Sequence, residues 1–214
     1  MVNFYLISYL LTYQFFQILS EQYLHVPLKQ ANKDGSISVV TKTGKFESSI
    51  YDFDDLYFEV IKPQEISYTF RIKLAKSFGS EFSTVLKNIK LIPADPYDAC
   101  QPIINSKDLI GNVALVIRGD CSFTTKAVNV EDTGAVAVII TDNDPLNESM
   151  IDMVNDETQR IVHIPSVYLP WKDGYMIKKS IDNTKTRAAI INIPLNTTHT
   201  SGKILNKRAP WTQW

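Results

Sequence analysis

One histidine and a group of carboxylates are the residues of this chain whose types and spacing could do acid–base chemistry. His163 follows a stretch, residues 142–157, that carries six acidic side chains: Asp142, Asp144, Glu148, Asp152, Asp156 and Glu157. Paired carboxylates can transfer protons or hold a hard cation. One hypothesis is therefore a hydrolase, with or without a metal ion, that uses His163 together with this acidic loop.

The motifs that would support this hydrolase hypothesis are missing. The sequence contains no Gly-x-Ser-x-Gly elbow, His-Glu-x-x-His pair, phosphate-binding glycine loop or Cys-x-x-Cys pair. The other two histidines, His25 and His199, fall in the arm and the tail defined below. Residues 142–146 also lack the oxygen ligand and the glycine that an EF-hand loop needs at its fifth and sixth positions. We therefore expect no enzymatic activity, metal ion or cofactor, and interpret residues 142–157 as a solvated acidic loop.

Composition and charge narrow the class of protein further. The 214 residues include 22 basic and 23 acidic side chains, which gives a net charge of −1. A nucleic-acid-binding protein normally has a basic excess, so we expect no nucleic-acid partner. Hydrophobic residues make up 44% of the chain and include ten Phe and ten Tyr. These numbers predict one main globular domain with a well-formed core.

The first 20 residues resemble a secretory signal peptide. Between Val2 and Leu19, 13 of 18 side chains are apolar or aromatic, and no charged residue precedes Glu21. Two alternatives remain open, namely a retained anchor, which would make the protein a membrane-tethered receptor domain, and an element of the folded domain. With the signal peptide removed, we expect a secreted protein without a membrane contact.

Other features also favour export. The tripeptides that begin at Asn147 and Asn196 are acceptors for N-linked glycans. The chain has two cysteines, Cys100 and Cys121, and such an even pair in an exported protein predicts one disulfide. Lys207-Arg208 is in addition a candidate dibasic processing site.

The pattern of apolar residues predicts the elements that position these side chains. A polar, turn-rich arm covers residues 21–54, with a short hairpin around Ile37–Val40. A mixed α/β domain follows over 55–195, and an extended tail over 196–214, whose Trp211 and Trp214 should dock on an apolar surface. The predicted strands are 56–61, 66–72, 88–92, 113–117, 135–140, 166–169 and 187–193, and the predicted helices are 122–133 and 172–181.

Four segments of the domain resemble the protease-associated (PA) domain. That pattern is an apolar strand ending in Arg-Gly-x-Cys-x-Phe, a helix that carries a lysine, a Gly-Ala turn into a second apolar strand, and then Ile-Pro and Asp-Gly. The matching segments are 111–126, 134–143, 164–167 and 173–175. The resemblance implies a single compact domain with a central sheet, a βαβ unit and flanking helices.

The resemblance also implies a function and a set of residues. PA domains are thought to bind proteins or peptides without doing chemistry, so a protein or peptide partner is expected here. The cysteine pair is commonly bridged in this family, and closing a loop of this length stabilises by roughly 3 kcal/mol. Arg118 and Lys126 are candidate binding residues, because α/β sheets present ligands at the carboxyl ends of their strands. The structural alternative has Arg118 bonded to carbonyls or carboxylates and Lys126 on a solvated helix face.

Overall fold

The computed structural model describes four stretches of chain: residues 28–31, 37–40, 55–195 and 207–213. The predicted signal peptide, most of the predicted arm and Asn196 lie outside the described residues. The chain divides into two compact units, residues 1–52 and 53–214. In the first unit, strand β1 (Leu28–Ala31) pairs antiparallel with β2 (Ile37–Val40), so the predicted hairpin is present.

The second unit is a mixed α/β domain built on a seven-stranded barrel. The strands follow the order β3-β4-β8-β7-β6-β5-β9, and β9 closes the barrel by pairing with β3. The predicted fold class is therefore confirmed, while the closure of the sheet is an addition to it. The elements are β3 (Asp55–Lys62), β4 (Thr69–Leu74), β5 (Leu86–Pro93), α1 (Ser106–Leu109), β6 (Val113–Ile117), α2 (Phe123–Glu131), β7 (Ala137–Thr141), β8 (Ser166–Leu169), α3 (Trp171–Asp182) and β9 (Ala189–Ile193), with 3-10 turns at Gln64–Ile66 and Pro210–Gln213.

The predicted βαβ unit is formed by β6, α2 and β7, whose strands are parallel and in register from Val113↔Ala137 to Ile117↔Thr141. Both faces of β6 are buried. Val113 and Leu115 pack in one apolar cluster with residues of α3, while Ala114 and Val116 pack in another with residues of α2. A strand that is covered on both faces has a continuous run of apolar residues, and this pattern predicted β6 from the sequence.

Two local features fix the helices on this sheet. Ser122 is the N-cap of α2, and its hydroxyl accepts a hydrogen bond from the backbone N–H of Thr125 at 3.0 Å, as predicted. Gly174 brings α3 against β7 so closely that a Cβ at this position would collide with the side chain of Thr141. Helix α3 can therefore begin beside the end of β7 only with glycine there.

The predicted second strand begins later than its apolar alternation suggests. Residues 66–68 precede β4, and Ile66 belongs to a 3-10 turn that follows Pro63. Proline fixes φ and removes a donor, so the chain turns here before it can enter the sheet. No helix in the described ranges combines the length and apolar character needed to cross a membrane.

Candidate binding groove

His163 does not join the carboxylates that the hydrolase hypothesis pairs with it. Its imidazole Nδ1 lies 2.9 Å from Oε1 of Glu131, and its backbone N–H also donates to that carboxylate. The imidazole is 75% exposed. Within the described residues, no hydrogen bond links His163 to Asp142 or Asp144, and no group of three or more His, Cys, Asp or Glu side chains could hold a metal ion.

The interpretation of residues 142–157 as a solvated loop is wrong for its first carboxylate, because Asp142 is fully buried. Its Oδ2 accepts hydrogen bonds from the Tyr168 hydroxyl at 2.8 Å and from Asn147 Nδ2 at 2.6 Å. Its Oδ1 pairs with Arg118 at 3.0 Å and accepts the backbone N–H of Asn143. Burial by itself raises the pKa of Asp142, but these hydrogen bonds outweigh it and leave the pKa below its usual value.

Two further carboxylates attach this loop to the domain. Asp152 lies 2.6 Å from the Lys73 ammonium group, and Asp156 bonds the Ser122 hydroxyl and pairs with Arg160. Between them, the Met153 side chain is fully buried in the core. The loop is thus fixed by ion pairs and by an apolar anchor, and only part of its acidic surface faces solvent.

Arg118 makes the carboxylate contact that the structural alternative expects. Its guanidinium group pairs with Asp142 and lies 5.8 Å from the centre of the Phe123 ring. Its charge therefore neutralises a buried carboxylate of the same domain.

Lys126 is buried, so the structural alternative that places it on a solvated helix face is wrong. Its ammonium group donates to the carbonyl oxygens of Asp98 at 2.7 Å and Gly119 at 2.6 Å. Desolvation lowers the pKa of Lys126, partly opposed by the negative charges of Asp98 and Asp120. No signal in the helix sequence distinguishes this lysine from an exposed one, because its acceptors are backbone atoms of a distant loop.

The predicted disulfide is present between Cys100 and Cys121. The Lys126 ammonium group lies 3.1 Å from the sulfur of Cys100, so the disulfide and the buried lysine share one small region at the end of β6. The ammonium group and both cysteine sulfurs are therefore engaged in contacts inside the domain.

A groove of about 400 Å³ opens between the start of the acidic loop, the start of α3 and the C-terminal segment. No local pattern in the sequence predicts this groove, because its walls come from segments far apart in the chain. We call it the α3 groove. Its lining includes aromatic, cationic and apolar side chains, namely Tyr57, Arg71, Met150, Trp171, Arg208 and Trp211.

Pro170 and the first turn of α3 place an aromatic pair at the edge of the α3 groove. Pro170 is the N-cap of the helix, and Trp171 follows as its first residue. One turn later, Tyr175 stacks on Trp171 with ring centres 4.9 Å apart, while 46% of Tyr175 remains exposed. The i, i+4 spacing of a helix accounts for the pairing.

The C-terminal segment docks against the other side of this groove. Ala209 is buried, and Trp211 packs edge-on against Tyr68 with ring centres 5.4 Å apart. The Trp211 indole N–H donates to Oδ1 of Asp173 at 2.8 Å. The expected docking of Trp211 on an apolar surface is therefore confirmed, whereas Trp214 lies outside the described residues.

Asn147 lies beside the α3 groove and uses both ends of its amide. Its Nδ2 donates to Asp142, and its Oδ1 accepts the backbone N–H of Ser149 at 3.0 Å. The side chain is half-buried. Attachment of a glycan at this nitrogen therefore has to coexist with, or replace, its contact with Asp142.

The family model for the PA domain matches residues 86–177. The chain is 42% identical to PRADC1-like protein from Drosophila melanogaster over 163 residues, which cover 75% of this chain and 83% of that protein. It is 36% identical over 122 residues to signal peptide peptidase-like 2 from Arabidopsis thaliana, of which it covers only 22%.

Among solved structures, a zinc aminopeptidase from Bacillus subtilis has a TM-score of 0.44 and 20% identity, covering 66% of this chain and 30% of that one. A similarity this low gives no information about the activity of this chain. The Drosophila relative, in contrast, matches over most of both sequences. Together with the family model, it shows that this chain belongs to the PA domain family.

Proposed function

We propose that this chain is a secreted, N-glycosylated and non-catalytic module that binds a protein or peptide partner. The observation that carries the proposal is the composition of the α3 groove. Trp171, Trp211 and Tyr57 line it together with two arginines. Tryptophan, tyrosine and arginine are the residues that dominate binding energy at protein interfaces.

The state of the polar side chains supports a binding role over a catalytic one. Asp142 already has hydrogen-bond donors at both oxygens, and Lys126 donates to backbone carbonyls in the interior. A general base needs a free lone pair within reach of substrate. The contact of His163 with Glu131 engages only Nδ1, but this exposed side chain does not line the α3 groove.

Three features support export. Stable disulfides form in oxidising compartments, and this chain has one between Cys100 and Cys121. The N-terminal 20 residues have the apolar character of a signal peptide, and two acceptor tripeptides for N-linked glycans follow, at Asn147 and Asn196.

The binding role is tested by proximity labelling in cells that export the protein. The bait is fused to a labelling enzyme, and wild type is compared with Trp171→Ala and with Lys185→Ala, an exposed lysine beyond the C-terminal end of α3 that does not line the α3 groove. We expect Trp171→Ala to lose the proteins that wild type and Lys185→Ala both label. An identical set of labelled proteins for all three baits would exclude the α3 groove, and a wild-type set no different from that of unfused enzyme would exclude a binding module.

Export and glycosylation are tested on the protein recovered from the medium. We expect an N-terminus near Glu21 and a gain in gel mobility on treatment with a glycosidase. Asn147→Gln and Asn196→Gln variants assign the glycan to each site. A retained N-terminal segment would instead favour the membrane-tethered alternative, and unchanged mobility would contradict both glycans.

The absence of catalysis is tested with purified protein against peptide, ester and glycoside substrates. We expect no turnover above that of buffer. Turnover that disappears in His163→Ala would contradict the non-catalytic proposal.

A further inference from the structure

The pocket that holds Trp211 has the features of a site for one particular kind of side chain. Tyr68 meets the indole edge-on, and the Phe70 ring lies 6.3 Å away. At the base of the pocket is Asp173, only 5% exposed, whose Oδ1 accepts the indole N–H at 2.8 Å. A buried carboxylate needs a hydrogen-bond donor, so the pocket favours an aromatic ring that carries one.

The backbone beside this pocket offers a second means of attachment. Strand β8 pairs with β4 only at Tyr168↔Lys73 and Val167↔Leu74, because Pro170 follows β8 and has no N–H to donate. The start of β4 therefore extends beyond β8. There the N–H of Thr69 donates to the carbonyl oxygen of Lys207 at 2.8 Å, and Thr69 pairs with Arg208 in parallel.

Backbone pairing at a strand edge and a side-chain pocket beside it are the two parts of peptide recognition by strand addition. We propose that the start of β4 and the pocket formed by Tyr68, Phe70 and Asp173 are a recognition site for a tryptophan in an extended segment of a protein partner. The chain's own residues 207–211 occupy this site. This inference rests on the proposed binding function, and in the complex the partner's tryptophan takes the place of Trp211 in the wall of the α3 groove.

Occupation by the chain's own segment has a consequence for affinity. A tethered segment competes at a high effective concentration, so a free ligand binds only the fraction of molecules whose site is open. Weakening the tethered segment should therefore strengthen binding of a free one. This inverse relation is specific to a site that the chain itself fills.

The test uses a fluorescent synthetic peptide with the sequence of residues 206–214 and the full chain, either wild type or Trp211→Ala. We expect saturable binding to Trp211→Ala, and binding to wild type that is at least tenfold weaker. A matched peptide in which only the indole nitrogen at position 211 carries a methyl group keeps the ring there but cannot donate from it to Asp173. It should bind Trp211→Ala at least tenfold more weakly than the unmodified peptide.

Folding of the variant is checked by circular dichroism and thermal melting. If Trp211→Ala does not fold, Trp211→Phe replaces it, because phenylalanine fills the pocket but leaves Asp173 without its donor. Failure of the peptide to bind a folded variant, equal binding to variant and wild type, or equal binding of the two peptides would each overturn the inference.

Competition with the same peptide in the labelling experiment tests this inference independently of the proposed function. Partners that depend on Trp171 but are not displaced by the peptide would leave the binding module intact and exclude the Trp211 pocket. Partners that depend on Trp171 and that an excess of the peptide displaces from the wild-type chain would support both.

Discussion

The ammonium group of Lys126 lies 2.6 Å from the carbonyl oxygen of Gly119 and joins helix α2 to the turn that carries Cys121. The same group donates to Asp98 O, on the loop that carries Cys100. A single buried charge therefore holds both ends of the disulfide-bonded region to one helix. Hydrogen bonds to a charged donor are about twice as strong as neutral ones, so this lysine acts as a structural centre of the domain.

Replacing Lys126 with methionine should destabilise the domain by about 2–4 kcal/mol, because two buried carbonyl groups lose a charged donor. The free energy of unfolding from urea titration measures this. Lys185→Met is the matched control, since Lys185 is exposed, and should change stability by less than about 0.5 kcal/mol. Equal effects of the two substitutions would contradict the structural role of Lys126.

Removing the disulfide with Cys100→Ser and Cys121→Ser should lower the free energy of unfolding by about 3 kcal/mol, because the bond closes a loop between residues 21 apart in the sequence. We expect this loss and that of Lys126→Met to be non-additive, since the ammonium group lies 3.1 Å from Cys100 Sγ. A cycle of the disulfide variant, the lysine variant and their combination measures the coupling, and strict additivity would show that the groups act independently.

Asp142→Asn should release the start of the acidic loop, because the neutral amide loses its ion pair with Arg118 and cannot accept from every present donor. We expect a loss of about 2–4 kcal/mol, since the carboxylate is buried. Hydrogen exchange at residues 143–149 should also accelerate. Asp144→Asn is the control, because Asp144 is exposed and accepts mainly the backbone N–H of Leu146; a similar loss there would refute a special role for Asp142.

Asp173 should make the domain more stable as the pH falls from 7 to 4. Burial raises its folded-state pKa to about 6 from an ordinary value of 3.8, although the Trp211 N–H and Lys172 oppose the shift. The folded state therefore binds a proton that the unfolded state does not, between these two values. The stabilisation is complete below pH 3.8 and is lost as the pH rises through 6.

The measurement is the difference in the free energy of unfolding between wild type and Asp173→Asn across this pH range. This difference isolates Asp173 from Asp142 and Asp156, whose lowered pKa values give the opposite slope. Between pH 7 and pH 4, the difference should move in favour of wild type by about 2 kcal/mol on acidification. A difference that does not change with pH, or that changes the other way, would contradict the buried state of Asp173.

Much of the fold could be predicted from local sequence. The apolar runs of β6 and β7, the cap at Ser122 and the length of α2 together specify a βαβ unit, and the structure contains it. The closure of the barrel could not be predicted in this way. Strand β9 pairs with both β3 and β5, and nothing within β9 identifies partners so distant in the chain.

The site was less predictable than the fold. The sequence singled out Arg118, Lys126 and the acidic loop for their charges, and the structure uses much of that charge internally, on Asp142, on backbone carbonyls and on Lys73. The α3 groove escaped prediction because Tyr57, Arg71, Met150, Trp171 and Trp211 come from five separate segments. The sequence spacing between these residues follows no period or motif that would predict a shared groove.

The sequence by itself determined the family, the fold class, the cysteine pair and the apolar character of Trp211, because each depends on residue type or on short-range periodicity. The tertiary structure alone decided which charges are buried, which strand closes the barrel and what covers Asp173. Burial and pairing between distant residues follow from how the whole chain packs, and packing brings together groups that share no local pattern.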